Sequence, residues 1–199
     1  PYFSRDGRWL LFAAGREGRL ALYRAALSAD GQLGKAQPLA GDGDRREERG
    51  PALSVDGKRL LFAREQGRGA GWDLFVASLD AQGVRGPATA LAALNSADDE
   101  TDGDWLGNDG AVVFSRGSGA TAQVWSIGCA WTGAALQPLG LSFNQAGGWT
   151  GAPVIDNAKP GEMMVASSAA KAPRAGGVDV YRLAVPKVAA VAGCVPAAW

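Results

Sequence analysis

Short apolar runs recur along this chain in a fixed order, each bordered by Gly, Asp, Asn or Pro. Leu10-Leu11-Phe12, Leu60-Leu61-Phe62 and Val112-Val113-Phe114 each follow an Asp-Gly pair, at Asp6-Gly7, Asp56-Gly57 and Asp109-Gly110. Segments this short, rich in aromatic and β-branched residues and closed off by turn formers, read as β-strands. The Asp-Gly pairs supply the positive φ that a tight hairpin needs. No spacing of three and four persists, so the pattern predicts an all-β chain.

The runs belong to a longer repeat of roughly fifty residues. Its starts are Pro1, Pro51, Asp104 and, in degenerate form, Pro153. A second column holds Tyr23, Phe75, Trp125 and Tyr181, and a third holds Pro38-Leu39, Ala90-Leu91 and Pro138-Leu139. Each unit therefore divides into four short strands. Units of this length with four strands each predict β-propeller blades, at about 1–42, 51–94, 104–141 and 153–199, in one segment covering 1–199. Each blade leaves two apolar faces that only its neighbours can cover. The expectation is a propeller of about four blades belonging to a larger ring of six or seven, with self-association through open blade edges.

The stretch from Pro1 to Phe12, its copy from Pro51 to Phe62, and the following Trp72-Asp73-Leu74-Phe75 resemble the TolB-type, WD-like propeller repeat. Units 3 and 4 depart from it, with Gly107 and Asp156 at the position of Ser4 and Ser54. The resemblance implies an exported, periplasmic or secreted bacterial protein that binds other proteins and is not an enzyme. Similar propellers are also fused to serine peptidases, so an accompanying hydrolase is the alternative.

Composition narrows this picture. Twenty basic and twenty acidic residues give no net charge, which disfavours nucleic acid as a partner. No apolar run reaches the length of a membrane span. There is no histidine, so Ser-His-Asp and Cys-His catalysis and His-based zinc sites are excluded from this segment. Cys129 and Cys194 are too far apart for a C-x-x-C motif and are either a disulfide or two buried thiols.

Candidate chemistry is sparse. Ser4 and Ser54 recur with the repeat and are expected to bond within their turns. The acidic run Asp98 to Asp104 has oxygen ligands at alternate positions around Gly103, which suits calcium through Asp98, Glu100 and Asp102, with Asp109 closing the spacing. The other readings of this run are a solvated loop or, through Asp99 and Asp102, a carboxylate pair for sugar chemistry. No other cofactor is expected; a lectin-like sugar or calcium module remains a further alternative. Propeller connectivity puts the loops near 42–50, 95–103 and 142–152 on the same face as those carrying Arg16, Arg19, Arg64, Arg68 and Arg116. Binding on that face is assigned to these arginines together with Glu48, Glu100, Trp105 and Trp149.

Overall fold

A computed structural model describes all residues except 17, 40, 42, 68, 108–109, 160, 170–171, 173–175, 190 and 198–199, and the side chain of Arg16. The described chain forms fifteen strands in four antiparallel sheets. Sheet 1 contains β1 (Tyr2–Phe3), β2 (Trp9–Arg16), β3 (Arg19–Ala26) and β4 (Gln37–Pro38). Sheet 2 contains β5 (Glu48–Leu53), β6 (Arg59–Glu65), β7 (Trp72–Ser78) and β8 (Thr89–Ala90). Sheet 3 contains β9 (Glu100–Trp105), β10 (Val112–Arg116), β11 (Gln123–Ile127) and β12 (Gln137–Pro138). Sheet 4 has β13 (Thr150–Ile155), β14 (Glu162–Ser167) and β15 (Asp179–Ala184). Within each sheet the strands pair in chain order, and β1, β5, β9 and β13 neighbour one another in sequence. This is a four-bladed β-propeller with its first strands innermost.

The recurrent Ser and Asp build the first hairpin of sheets 1 and 2. Ser4 Oγ donates to Asp6 Oδ1 at 2.6 Å and accepts from the Trp9 amide at 2.9 Å. Ser54 repeats this with Asp56 at 2.5 Å and Arg59 at 3.0 Å. Gly7 and Gly57 sit at φ 69° and 71°, where a side chain would be strained.

The inner strands start earlier than the Pro51, Asp104 and Pro153 columns suggest. Each of β5, β9 and β13 carries a β-bulge, with Gly50, Asp102 and Ala152 in the left-handed region at φ 61°, 50° and 50°. The extra residue lets the strand continue backwards past its apparent start. Most of the acidic run is thus strand and not loop: Asp98 and Asp99 precede it, Glu100 to Asp104 belong to β9, and Asp102 is its bulge residue.

Cross-strand pairing gives each sheet two faces. In sheet 1, Leu11 and Leu22 point toward sheet 2 and join one cluster with its Phe62 and Phe75. Val113 and Val124 of sheet 3 meet Met163 and Val165 of sheet 4 in the same way. Burial at each seam follows from stacking one sheet on the next. Among the described residues no strand of sheet 4 packs on a strand of sheet 1, and the two touch through Asn157 Nδ2, 3.0 Å from the Phe3 carbonyl.

Among the described residues, those after β15 do not add a fourth strand to sheet 4. The chain runs beneath sheet 3, where Cys194 is disulfide-bonded to Cys129 with 5.6 Å between Cα atoms. A Cβ on Gly110 would lie 2.7 Å from the Cys194 sulfur, so the tail fits closely there. Among the described residues no helix is long and apolar enough to cross a membrane.

Candidate functional site

The loops before each inner strand meet the loops between second and third strands. Glu65 N donates to the Glu47 carbonyl, and Gly117 N to that of Asp99, each at 2.9 Å. The opposite face gathers the Asp-Gly hairpins and the turns after the third strands, as in the 2.8 Å bond from Leu79 N to the Lys58 carbonyl. One face is therefore a continuous set of polar loops held by rigid strands.

Two buried ion pairs underlie that face. Arg64, 2% exposed, donates to Glu48 Oε1 at 2.7 Å through Nη2 and at 3.0 Å through Nε. Arg85 reaches the other oxygen of Glu48 at 2.9 Å. In sheet 3 the equivalent pair is Arg116 Nε on Glu100 Oε1 at 2.8 Å, with Ser96 Oγ donating to the same oxygen at 2.5 Å. Burial pushes the Glu100 carboxyl up, opposed by its bonds from Ser96 and Arg116. Two guanidinia on one carboxylate offset a desolvation cost that a lone buried charge could not bear.

These contacts place the sequence candidates. Glu48, Arg64 and Glu100 are buried and spend their charge on one another's strands, so they form the base of the face and not its surface. Arg116 is largely covered, its guanidinium 4.6 Å from the Trp125 ring centre. Trp105 is 3% exposed and stacks on Trp131 at 5.9 Å, plugging a gap in the core. Trp149 is half-buried. Arg68 and the side chain of Arg16 lie outside the described residues, as does Asp109. Asp98 is exposed, Glu100 turns inward and Asp102 serves the bulge, so the three do not converge. Among the described residues no three His, Cys, Asp or Glu side chains gather as a metal site would require.

What the loop face does assemble is a pocket of about 420 Å³ between sheets 1 and 2. Arg19, Arg45, Arg46 and Arg85 line it against Asp44 and Glu48, with Tyr23 and Leu39 as apolar wall. Arg46 donates to Asp44 at 2.6 Å, and this hydrogen bond holds the Asp44 carboxyl well below the usual range. Arg85 is committed to Glu48. Arg19 and Arg45 have no ion pair among the described residues, and Arg45 is exposed. The pocket thus offers surplus positive charge beside an apolar wall, a combination suited to an anionic group on a partly apolar ligand.

A second concavity, of about 860 Å³, opens on the opposite face between the hairpins of sheets 1 and 2. One of its wall residues is committed internally: the Arg24 guanidinium lies 4.1 Å over the Trp9 ring and binds the Gln82 carbonyl.

One titratable group is enclosed near the axis. Asp104 accepts from the amides of Trp105 and Ile155, each at 2.8 Å, which ties sheet 3 to sheet 4. Burial raises its pKa to about 7 against those two bonds. Tyr2 makes the corresponding link between sheets 1 and 2, its hydroxyl donating to the Leu53 carbonyl at 3.0 Å. Burial, helped by the nearby Asp104, pushes that phenol up to about 12. Both groups stitch neighbouring sheets, and neither lines one of the two concavities described above.

Sequence reasoning missed two repeated devices. Asn95 and Asn144 each clamp the third strand of their sheet through amide contacts to both N–H and C=O, of Leu74 and Val124 respectively, at 2.7–3.0 Å. The buried Glu–Arg pairs also repeat, Glu48 with Arg64 and Glu100 with Arg116. The matching spacing of the two pairs was the available signal.

Solved structures show the same fold. A protein assigned as TolB from Agrobacterium tumefaciens aligns with a TM-score of 0.61 at 18% identity over 92% of this chain and 59% of that one. TolB from Acinetobacter baumannii aligns at 0.60 and 14% identity, over 92% and 40%. An endo-arabinase from Bacteroides thetaiotaomicron aligns at 0.61 and 13%, over 90% and 71%. The chain spans about half the length of the two TolB proteins. No protein-family model matches the sequence, and no curated protein does.

Proposed function

We propose that this chain is a non-enzymatic, protein-binding propeller scaffold of the bacterial cell envelope or exterior, and that the pocket between sheets 1 and 2 holds an acidic, partly apolar segment of its partner. The observation that carries this reading is the unspent charge of Arg19 and Arg45 over a floor whose other charges are paired. A rigid floor with adaptable loops above it is a common arrangement for recognition. The Cys129–Cys194 disulfide supports an oxidising compartment. The likeness to TolB propellers supports the scaffold role.

The test compares capture of envelope proteins by the wild-type chain and by the double variant Arg19→Glu, Arg45→Glu, with matching circular dichroism. Proteins retained by the first and lost from the second are expected. Identical capture profiles would remove the proposal. A second reading rests on the alignment with a puromycin hydrolase, of which this chain matches 26%. There the propeller would accompany a hydrolytic domain and its loop face would screen access. Hydrolysis of peptide or aminoacyl substrates by the full-length protein would favour that reading.

A further inference from the structure

Sheets 1, 2 and 3 each end in a two-residue outer strand followed by leucine: Gln37-Pro38-Leu39, Thr89-Ala90-Leu91 and Gln137-Pro138-Leu139. In each, the leucine N–H donates to a carbonyl of the third strand, at Leu22, Leu74 and Val124, over 2.9, 3.0 and 2.9 Å. The leucine side chain folds over the seam toward the next sheet; Leu39 and Leu91 are only 3% and 1% exposed. The middle residue pairs opposite Tyr23, Phe75 or Trp125, with its own amide position facing away from the sheet, which is why proline is accepted there.

Among the described residues sheet 4 has three strands and no such outer one. Val180, just before Tyr181, stands where Leu22, Leu74 and Val124 stand, and among the described residues nothing pairs with the outer edge of β15. Val180 and Val178 are 67% and 58% exposed. The strand has no proline or lysine to blunt the edge, and its Arg182 is turned to Asp156 and Glu162 of its own sheet at 2.6 Å. The segment around Cys194 is held under sheet 3 by the disulfide.

We propose that the outer edge of β15 docks an extended segment of a partner protein with the pattern polar–proline or alanine–leucine, added as the fourth strand of sheet 4. The three filled slots define the chemistry of the fourth. They also argue for a partner over a second copy, because this chain's own three segments are sealed into their sheets and could be lent only by opening a blade. The site lies on a different element from the Arg19–Arg45 pocket and does not depend on it.

The probe is a fluorescent peptide with the sequence from Ala134 to Leu141, titrated into the whole chain and followed by polarisation and by backbone amide NMR. Saturable binding is expected, with shifts centred on the Val180 and Arg182 amides. Replacing the peptide's Leu139 by Asp, or methylating its amide nitrogen, should weaken binding by about tenfold or more, as loss of a central anchor or of its hydrogen bond does. Absence of saturation, equal binding of the modified peptides, or shifts centred on Arg19 and Arg45 would overturn the proposal. So would a self-associated chain in which saturating peptide leaves Val180 unshifted.

Discussion

Phe62 and Phe75 in sheet 2 stack with ring centres 6.2 Å apart, and Phe12 and Tyr23 in sheet 1 do so at 5.9 Å. Locally these are the same object in the same column. Their surroundings differ: Phe62 is fully buried and Phe75 is 7% exposed, whereas Phe12 and Tyr23 are half-buried. The far end of the propeller repeats the contrast. Leu74 and Val124 are fully buried, while Val180 in the same column is 67% exposed. Strand pairing is thus an internal property of each sheet, and enclosure is conferred by the next one. The enclosed sheets also carry ionic Glu–Arg pairs. Sheet 4 has a hydroxyl pair instead, with Thr150 Oγ1 2.9 Å from Ser167 Oγ.

The largest effect expected from this contrast is at Glu48. Glu48→Ala removes the carboxylate that Arg64 and Arg85 share, while Arg64 keeps its 3.1 Å contact with Asp44, and should cost about 4 kcal/mol, within the range for a broken buried pair. Thr150→Ala, at the same position of sheet 4, removes two neutral hydrogen bonds, to the Phe143 carbonyl and to Ser167, and should cost about 2 kcal/mol. Urea unfolding of the two variants measures the difference. Equal losses would mean that the ionic pairs do not distinguish the enclosed sheets from the terminal one.

Those same residues show how far the sequence could be read. The hairpin Ser and Asp, the stacked aromatic column and the outer Pro-Leu segments lie at repeated offsets, and each is where its column predicts. Glu48 and Glu100 precede the apparent repeat start because a bulge interrupts the inner strand at Gly50 and Asp102. Lying in acidic stretches, they read as loop residues of the binding face, and Glu100 also as a calcium ligand. A charge that is buried and paired looks no different in sequence from one in water. Sheet 4 was the hardest to read. Its columns are degenerate, and the tail's route under sheet 3 depends on the pairing of Cys129 with Cys194, which spacing alone left open. The Arg19–Arg45 pocket was legible only in part: Arg19 was selected for its loop position, but the surplus charge depends on which other arginines are already paired.

Asp104 gives the next effect, at the junction of an enclosed sheet with a terminal one. Its carboxyl keeps the proton up to about pH 7 in the folded chain, against an ordinary value of 3.8. Between those limits the folded state binds more protons than the unfolded state, so stability falls as pH rises from about 4 to about 7 and levels off above. The shift corresponds to about 4 kcal/mol over the whole window. Asp104→Asn should flatten that slope while the wild type keeps it. Parallel pH profiles of unfolding free energy for the two proteins would show that Asp104 ionises freely and that burial at this seam does not govern it.

The smallest effect is the difference between two phenylalanines in one column. Phe62→Ala should cost about 4 kcal/mol, since its cavity is walled by sheet 1. Phe12→Ala removes a ring that water already reaches on one side, and about 2 kcal/mol is expected from its lesser burial. The gap of about 2 kcal/mol measures what a neighbouring sheet adds to an otherwise identical pair. It should hold at every protein concentration if the exposed face of sheet 1 stays in water. A gap that closes as concentration rises would show that a second copy covers Phe12, and sedimentation velocity over the same range would then find the dimer. A gap absent even at high dilution would mean that the column is stabilised from within each sheet, and that stacking of blades contributes less than their burial implies.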